Sequence, residues 1–170
     1  MKSAESLLKT GKDSVFKEKD ITTKDENGVE KTTKGYDTDA IYKAVSAFAD
    51  DYNSVLSAAA KSKNSSVVST ASNMVQQTVA NEKMLSRIGI TIGEDNKLSV
   101  DEKKLKAADM TTVKSMMNGN GSFAYGVQTK ASFISMYAKN DQNKASGVYG
   151  SSATYTASLF SNGDIWNSFI

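Results

Sequence analysis

Leu85-Ser-Arg-Ile-Gly-Ile-Thr-Ile-Gly-Glu-Asp-Asn-Lys-Leu-Ser-Val-Asp-Glu-Lys-Lys-Leu105 carries three structural signals in succession. Ile88, Ile90 and Ile92 alternate with smaller or polar residues, the period of a half-buried strand. Glu94 to Lys97 supply turn formers, and Leu98 to Val100 run back as a short partner strand. Ser99 stands three residues before Glu102, the spacing of a capping box, so a helix is predicted directly after that strand. Asp101 adds negative charge to the first turn, where the helix dipole favours it. The stretch is a joint, able to fold the helices before and after it against each other.

Outward from this joint the chain reads as helical. Asp37, Thr38 or Asp39 caps a first long helix. Its apolar stripe is Ile41, Val45, Phe48, Tyr52, Val55 and Ala59, which needs a second apolar surface to cover it. Asn64-Ser-Ser66 marks a break, and a second helix opens at Val67 or Val68. Val68, Ala71, Val75, Thr78 and Leu85 lie near a heptad line, widened by Met74 and Val79. After the joint come a short helix from Val100 to Ala108 and another, capped in Asp109 to Thr112, that Asn118-Gly-Asn-Gly121 ends. A third long helix is predicted from Ser122 to about Lys139. Its buried line is Phe123, Val127, Ala131, Ile134 and Ala138, with Tyr125, Phe133 and Tyr137 placed to reach two neighbours.

Towards the N-terminus, Ser3 to Leu8 form a helical turn or two. Val15 to Thr23 and Val29 to Tyr36 flank Asn27-Gly28, a tight-turn pair, and form a solvent-facing hairpin. The predicted fold is therefore mostly α, an antiparallel helical bundle with one or two short β-hairpins. Residues 1–36 hold the N-terminal turn and hairpin, 37–140 the bundle with its central hairpin at 88–100, and 141–170 an apolar, partly irregular tail. Tyr149, Tyr155, Leu159, Phe160, Ile165, Trp166, Phe169 and Ile170 are too apolar for an inert linker. They are the candidate interaction residues, whether the tail packs on its own bundle or on a partner.

Composition narrows the function. Twenty-one Lys plus Arg against nineteen Asp plus Glu give a net charge of +2, with mixed-sign runs at Lys17–Asp20 and Asp101–Lys104. No concentrated basic face for nucleic acid is visible. The chain has no histidine and no cysteine, which removes the usual zinc sites, thiol nucleophiles and histidine triads. A carboxylate calcium or magnesium site survives that filter, but Asp95, Asn96 and Ser99 lack the EF-hand spacing. Asp25 to Gly28 is flanked by Lys24 and Lys31, so both stretches read as turns. Asp50 and Asp51, adjacent on a helix, point apart and do not make a glycosidase pair. Gly119-Asn-Gly121 lacks a following lysine and is a helix breaker. No catalytic, cofactor or metal residue is assigned, and the expectation is a non-enzyme. No window is apolar enough to span a bilayer, and residues 1–16 lack the apolar core of a secretory signal.

The same central stretch resembles the C-terminal part of the bacterial flagellar filament cap family, also called hook-associated protein two. Leu85, Ile88, Gly89, Ile90 and Thr91 match its L-x-x-I-G-I-T turn. Asp95, Leu98, Ser99, Asp101, Glu102 and Leu105 match its D-G-x-L-S-x-D-E-x-x-L run, with Asn96 in place of the glycine. Phe48-Ala-Asp-Asp-Tyr-Asn53 is similar to its F-x-x-x-Y-N helix motif. The likeness covers roughly residues 41–137; the family's proteins are considerably longer, with large distal domains. It implies a structural, self-associating protein, partnered by itself or by flagellar subunits, extracellular and exported without a cleaved signal peptide. On it, Phe48, Tyr52, Ile88, Gly89, Ile90, Leu98, Ser99, Glu102 and Leu105 are the structural residues of the joint. The alternative is a small cytoplasmic adaptor or chaperone-like binding module. Asn53 is placed to bond the central ribbon.

Overall fold

Asp37 starts the first long helix, because its carboxylate accepts the Ala40 amide at 2.9 Å and so satisfies a first-turn donor. The helix that follows, α2 (Thr38–Ala59), buries Ile41, Val45, Phe48, Ala49, Tyr52 and Ala59, the face its sequence predicts. A computed structural model describes residues 2–24 and 28–149, with side chains between residues 3 and 141. Before α2 come α1 (Lys2–Leu8), a single 3-10 turn (Gly11–Asp13) and strands β1 (Glu18–Lys24) and β2 (Glu30–Tyr36). After it come α3 (Ser65–Ala80), α4 (Glu82–Arg87), β3 (Ile90–Ile92), β4 (Leu98–Val100), α5 (Glu102–Ala107), α6 (Met110–Met117) and α7 (Phe123–Tyr149). The fold is mostly helical with two small antiparallel hairpins, as predicted.

Helices α2, α3 and α7 form the body. Asn64 caps α3, accepting the Ser66 and Val67 amides. It also donates to the Asp141 carboxylate on α7 at 2.7 Å. Further down, Lys130 donates to the Gln77 side chain at 2.6 Å, so α3 and α7 run antiparallel. The Phe48 and Phe123 rings meet edge to face, centroids 6.0 Å apart, and tie α2 to the start of α7. Gly126 on α7 lies against the Gln77 side chain of α3. A Cβ there would fall 2.1 Å from the Gln77 amide nitrogen.

The predicted line on α3 holds at Ala71, Thr78 and Leu85, with Met74 beside it, and departs at Val68 and Val79. Val67, Ala71, Met74 and Thr78 are buried, whereas Val68 and Val79 are each 48% exposed. Val67, Ala71, Met74 and Thr78 share one face at 100° per residue, which turns Val68 towards the rim. Asn81 ends α3, and Leu85 is buried from α4. On α7, Phe123, Val127, Ala131 and Ile134 are buried as predicted, but Ala138, Tyr125 and Phe133 are exposed. Small residues such as Ala124 and Gly126 make the close contacts there, leaving the aromatic flank outside. The helix also runs ten residues beyond its predicted end.

The N-terminal segment completes the core rather than standing beside it. Ala4, Leu7 and Phe16 are buried in the same cluster as α2 and α7. The Ser3 hydroxyl donates to Asp51 at 2.6 Å. Asn118, after α6, donates its side-chain amide to the Leu7 carbonyl and to the Lys9 carbonyl, the latter at 2.9 Å. The β1–β2 hairpin pairs Glu18 with Tyr36 through Lys24 with Glu30. Only Ile21, Gly35 and Tyr36 of its strands are partly covered, so it is solvent-facing, as its threonine-rich strands imply.

Candidate functional site

The joint is built from α2 upward. Asn53 sits on α2 one residue after the buried Tyr52 and faces β4. Its side-chain nitrogen donates to the Leu98 carbonyl at 2.8 Å, and its side-chain oxygen accepts the Leu98 amide at 2.8 Å. One side chain thus does what a neighbouring strand would do, and pins the ribbon's open edge to the helix. Within the ribbon, Ile90 pairs with Val100, Thr91 with Ser99 and Ile92 with Leu98. Asn96 adopts φ 60°, the left-handed conformation the turn demands, and so fills the glycine's role predicted for it. Asp95 accepts the Lys97 amide and pairs with its ammonium at 2.8 Å. The Lys97 side chain, then its amide, hold the Asp95 carboxyl below the usual carboxylate range.

Gly89 closes the other end. It has φ +80°, and a Cβ would lie 2.8 Å from both the Leu105 amide nitrogen and the Lys104 Cβ. Its carbonyl accepts the Asp101 amide at 2.8 Å. The start of α5 therefore packs directly on the Gly89 backbone. Asp101 caps α5, accepting the Lys104 amide at 3.0 Å. This corrects the expected capping box. Ser99 stays extended in β4 and its hydroxyl pairs with Thr91 at 2.7 Å, so it lies too far back to reach the helix start. Glu102 instead pairs with Lys106 at 2.5 Å, and Lys106 also reaches Asp39 of α2 at 2.5 Å. These two carboxylates, Asp39 first, raise the Lys106 pKa. Its ammonium also stands 5.6 Å from the centroid of the Tyr42 ring.

The nine joint residues fall into two groups. Phe48, Tyr52, Ile88, Gly89, Ile90, Leu98 and Leu105 are buried, whereas Ser99 and Glu102 are exposed. Tyr52 is fully buried and its hydroxyl has no hydrogen-bond partner. Burial pushes its pKa up, and the neighbouring Thr78 hydroxyl, which donates to the Met74 carbonyl at 2.9 Å, opposes that shift. Asp50 and Asp51 diverge as predicted, Asp51 towards Ser3 and Asp50 into solvent. Among the described residues no three carboxylates converge to hold a metal ion, and no helix is long and apolar enough to cross a membrane.

The surfaces available to a partner lie on the helices. Tyr125, Phe133 and Met136 are 41–46% exposed on one side of α7. The Phe133 ring stacks on Tyr137, centroids 6.4 Å apart and planes 22° from parallel. The sequence signal was present: Phe133 sits about a third of a turn, and Tyr125 and Met136 nearly half a turn, away from the Phe123–Ile134 line, among Thr129, Ser132 and Ser135. A second apolar surface is a groove of about 280 Å³ between α2 and α3, with Leu56, Ala59, Val68, Ala71 and Val75 in its lining and Asn96 at the ribbon tip. Of the eight candidate interaction residues, Tyr149 ends α7. Its side chain, and Tyr155, Leu159, Phe160, Ile165, Trp166, Phe169 and Ile170, lie outside what the structure describes. No family model, no curated protein and no solved structure matches this chain.

Proposed function

We propose that this is a structural protein, flagellar cap-like or filament-associated, that acts by noncovalent helix packing and self-association. The observation that carries the reading is the outward face of α7, where Tyr125, Phe133 and Met136 stay exposed on a helix whose opposite side is fully packed. Large apolar side chains grouped on one helix face are the composition of protein interfaces. The rigid joint supports it: Asn53, Gly89 and Lys106 fix α2, the ribbon and α5 as one unit, which suits a part that transmits position rather than one that opens. The sequence resemblance at residues 85–105 supplies the flagellar setting and the extracellular location.

Solution mass measured across a wide concentration range tests the proposal. The wild-type chain is expected to form a defined oligomer as concentration rises, and Phe133→Lys with Met136→Lys to remain monomeric with unchanged helicity. A monomer at every concentration would overturn self-association and favour the adaptor reading, in which mass changes only when a partner is supplied.

A further inference from the structure

We infer that the β1–β2 ribbon is a second contact between copies of this chain, with β1 lying antiparallel beside β1 of another copy. The two ribbons then form one four-stranded sheet. The inference rests on the self-association proposed for α7 and adds a separate surface to it. The ribbon is longer than its own support warrants. Its strands pair over seven residues, yet only Ile21, Gly35 and Tyr36 are partly covered. A two-stranded ribbon in water is marginal, and further strands stabilise it. Among the described residues no third strand pairs with it, so its outer edges are open to a strand from elsewhere.

The charges choose both the strand and its partner. β1 carries two acids, Glu18 and Asp20, and two lysines, Lys19 and Lys24, whereas β2 carries one acid, Glu30, against Lys31 and Lys34. Excess lysine on an edge resists pairing with its own copy. Laid antiparallel on itself about Ile21, β1 sets Glu18 opposite Lys24 of the second copy at both ends. Asp20 then faces Thr22, Lys19 faces Thr23 and Ile21 faces its own counterpart, so no like charges meet. Centring on Asp20 instead puts Asp20 against Asp20, and centring on Thr22 leaves Glu18 and Lys19 outside the pair. On β2 the full-length register about Thr33 sets Glu30 opposite Tyr36 and forms no ion pair. Opposed residues in the β1 register are an even number of positions apart, so their outward backbone groups and side-chain faces agree. One such edge is about 24 Å long, seven residues at about 3.4 Å each. It covers less than the roughly 1,000 Å² of a lasting interface. It therefore acts between copies that α7 has already joined: two α7 pairs can engage two edges at once and close as a tetramer.

Sedimentation over a wide concentration range reads the outcome as mass. The wild-type chain should pass from two copies to four. Glu18→Lys sets a lysine against Lys24, and Lys24→Glu sets an acid against Glu18, so each variant alone should stop at two copies with unchanged helicity. An equimolar mixture of the two should reach four again, because each lysine of one chain then faces an acid of the other. Lys24→Glu also breaks the 3.2 Å pair with Glu30, but damage confined to one hairpin would not be restored by mixing. The inference is overturned if the wild-type chain stops at two copies, if either variant alone still reaches four, or if the mixture stays at two. The α7 reading survives each of those results. A chain that is monomeric at every concentration overturns both. Phe133→Lys with Met136→Lys, monomeric beside a two-copy Glu18→Lys, tells the two contacts apart.

Discussion

Asn53 and Leu98, forty-five residues apart, share two hydrogen bonds of 2.8 Å between one side-chain amide and one residue's backbone. Both partners are satisfied at once, and Leu98 is only 4% exposed. Replacing Asn53 with Leu keeps the size and strands the Leu98 N–H and C=O. Losing partners for buried backbone groups costs about 1–3 kcal/mol each, tempered here by partial access to water. Asn53→Leu should lower unfolding stability by about 2–3 kcal/mol in urea titrations. A change below about 0.5 kcal/mol would mean the ribbon is held by packing alone.

Gly89 and Gly126 look alike as tight contacts but should respond differently. At Gly89 the obstruction is backbone, and the left-handed φ adds strain, so Gly89→Ala should cost about 2 kcal/mol or more. At Gly126 the nearest atoms all belong to the end of the Gln77 side chain, which can swing away. The helix propensity gained, up to about 1 kcal/mol, offsets the lost Lys130 bond. Thermal melts of the two variants should therefore separate clearly, with Gly126→Ala close to wild type.

Tyr52→Phe should be neutral or stabilising, since it removes a buried hydroxyl that has no partner. A further difference should emerge at alkaline pH. The Tyr52 pKa is raised in the folded state, so its contribution is intact below the ordinary tyrosine value near 10 and is lost as pH rises through the folded value. Stability curves of wild type and Tyr52→Phe should diverge above about pH 10, with the variant falling less. Parallel curves would show that another group dominates there.

Acid should loosen helix starts first. Asp37 and Asp109 cap α2 and α6, and both carboxyls titrate below the usual value. For Asp37 the cause is the Ala40 amide and then Lys19; for Asp109 it is the Thr112 hydroxyl and amide. A depressed folded pKa gives stability that is present above about pH 4 and lost as pH falls through the folded value. Asn at either position keeps the cap without the titration. The double variant Asp37→Asn with Asp109→Asn should show a flatter melting temperature between pH 5 and pH 2, as order-of-magnitude bounds set by these carboxyls.

The parts of the fold that were legible are those decided locally. Asp37 and Asp109 as caps, the Ile41–Tyr52 stripe, the Asn96 turn and the solvent-facing hairpin each depend on a few neighbouring residues. The face of α3 was legible at Ala71, Met74, Thr78 and, beyond the Asn81 break, Leu85, but Val67 takes the place given to Val68 and Val79 stays outside. Ser99 and Glu102 had the spacing of a capping box, but pairing with Thr91 holds Ser99 in a strand. On α7, aromatic bulk suggested burial at Tyr125 and Phe133, and only the fit of Ala124 and Gly126 against the neighbouring helices decides otherwise. For the interaction surface, the tail was picked on composition, whereas the exposed α7 face emerged only once the buried side was known.

The Asn118 amide that holds the Leu7 and Lys9 carbonyls has a consequence in time. Synthesis delivers α1 well before its anchor, which lies more than a hundred residues later. Seven residues make a helix too short to persist alone in water. α1 must therefore wait, exposed, until α6 and the start of α7 leave the ribosome. An element made well before its anchor is secured late, so arrest of translation short of Asn118 leaves Leu7 and Phe16 uncovered for degradation machinery to find.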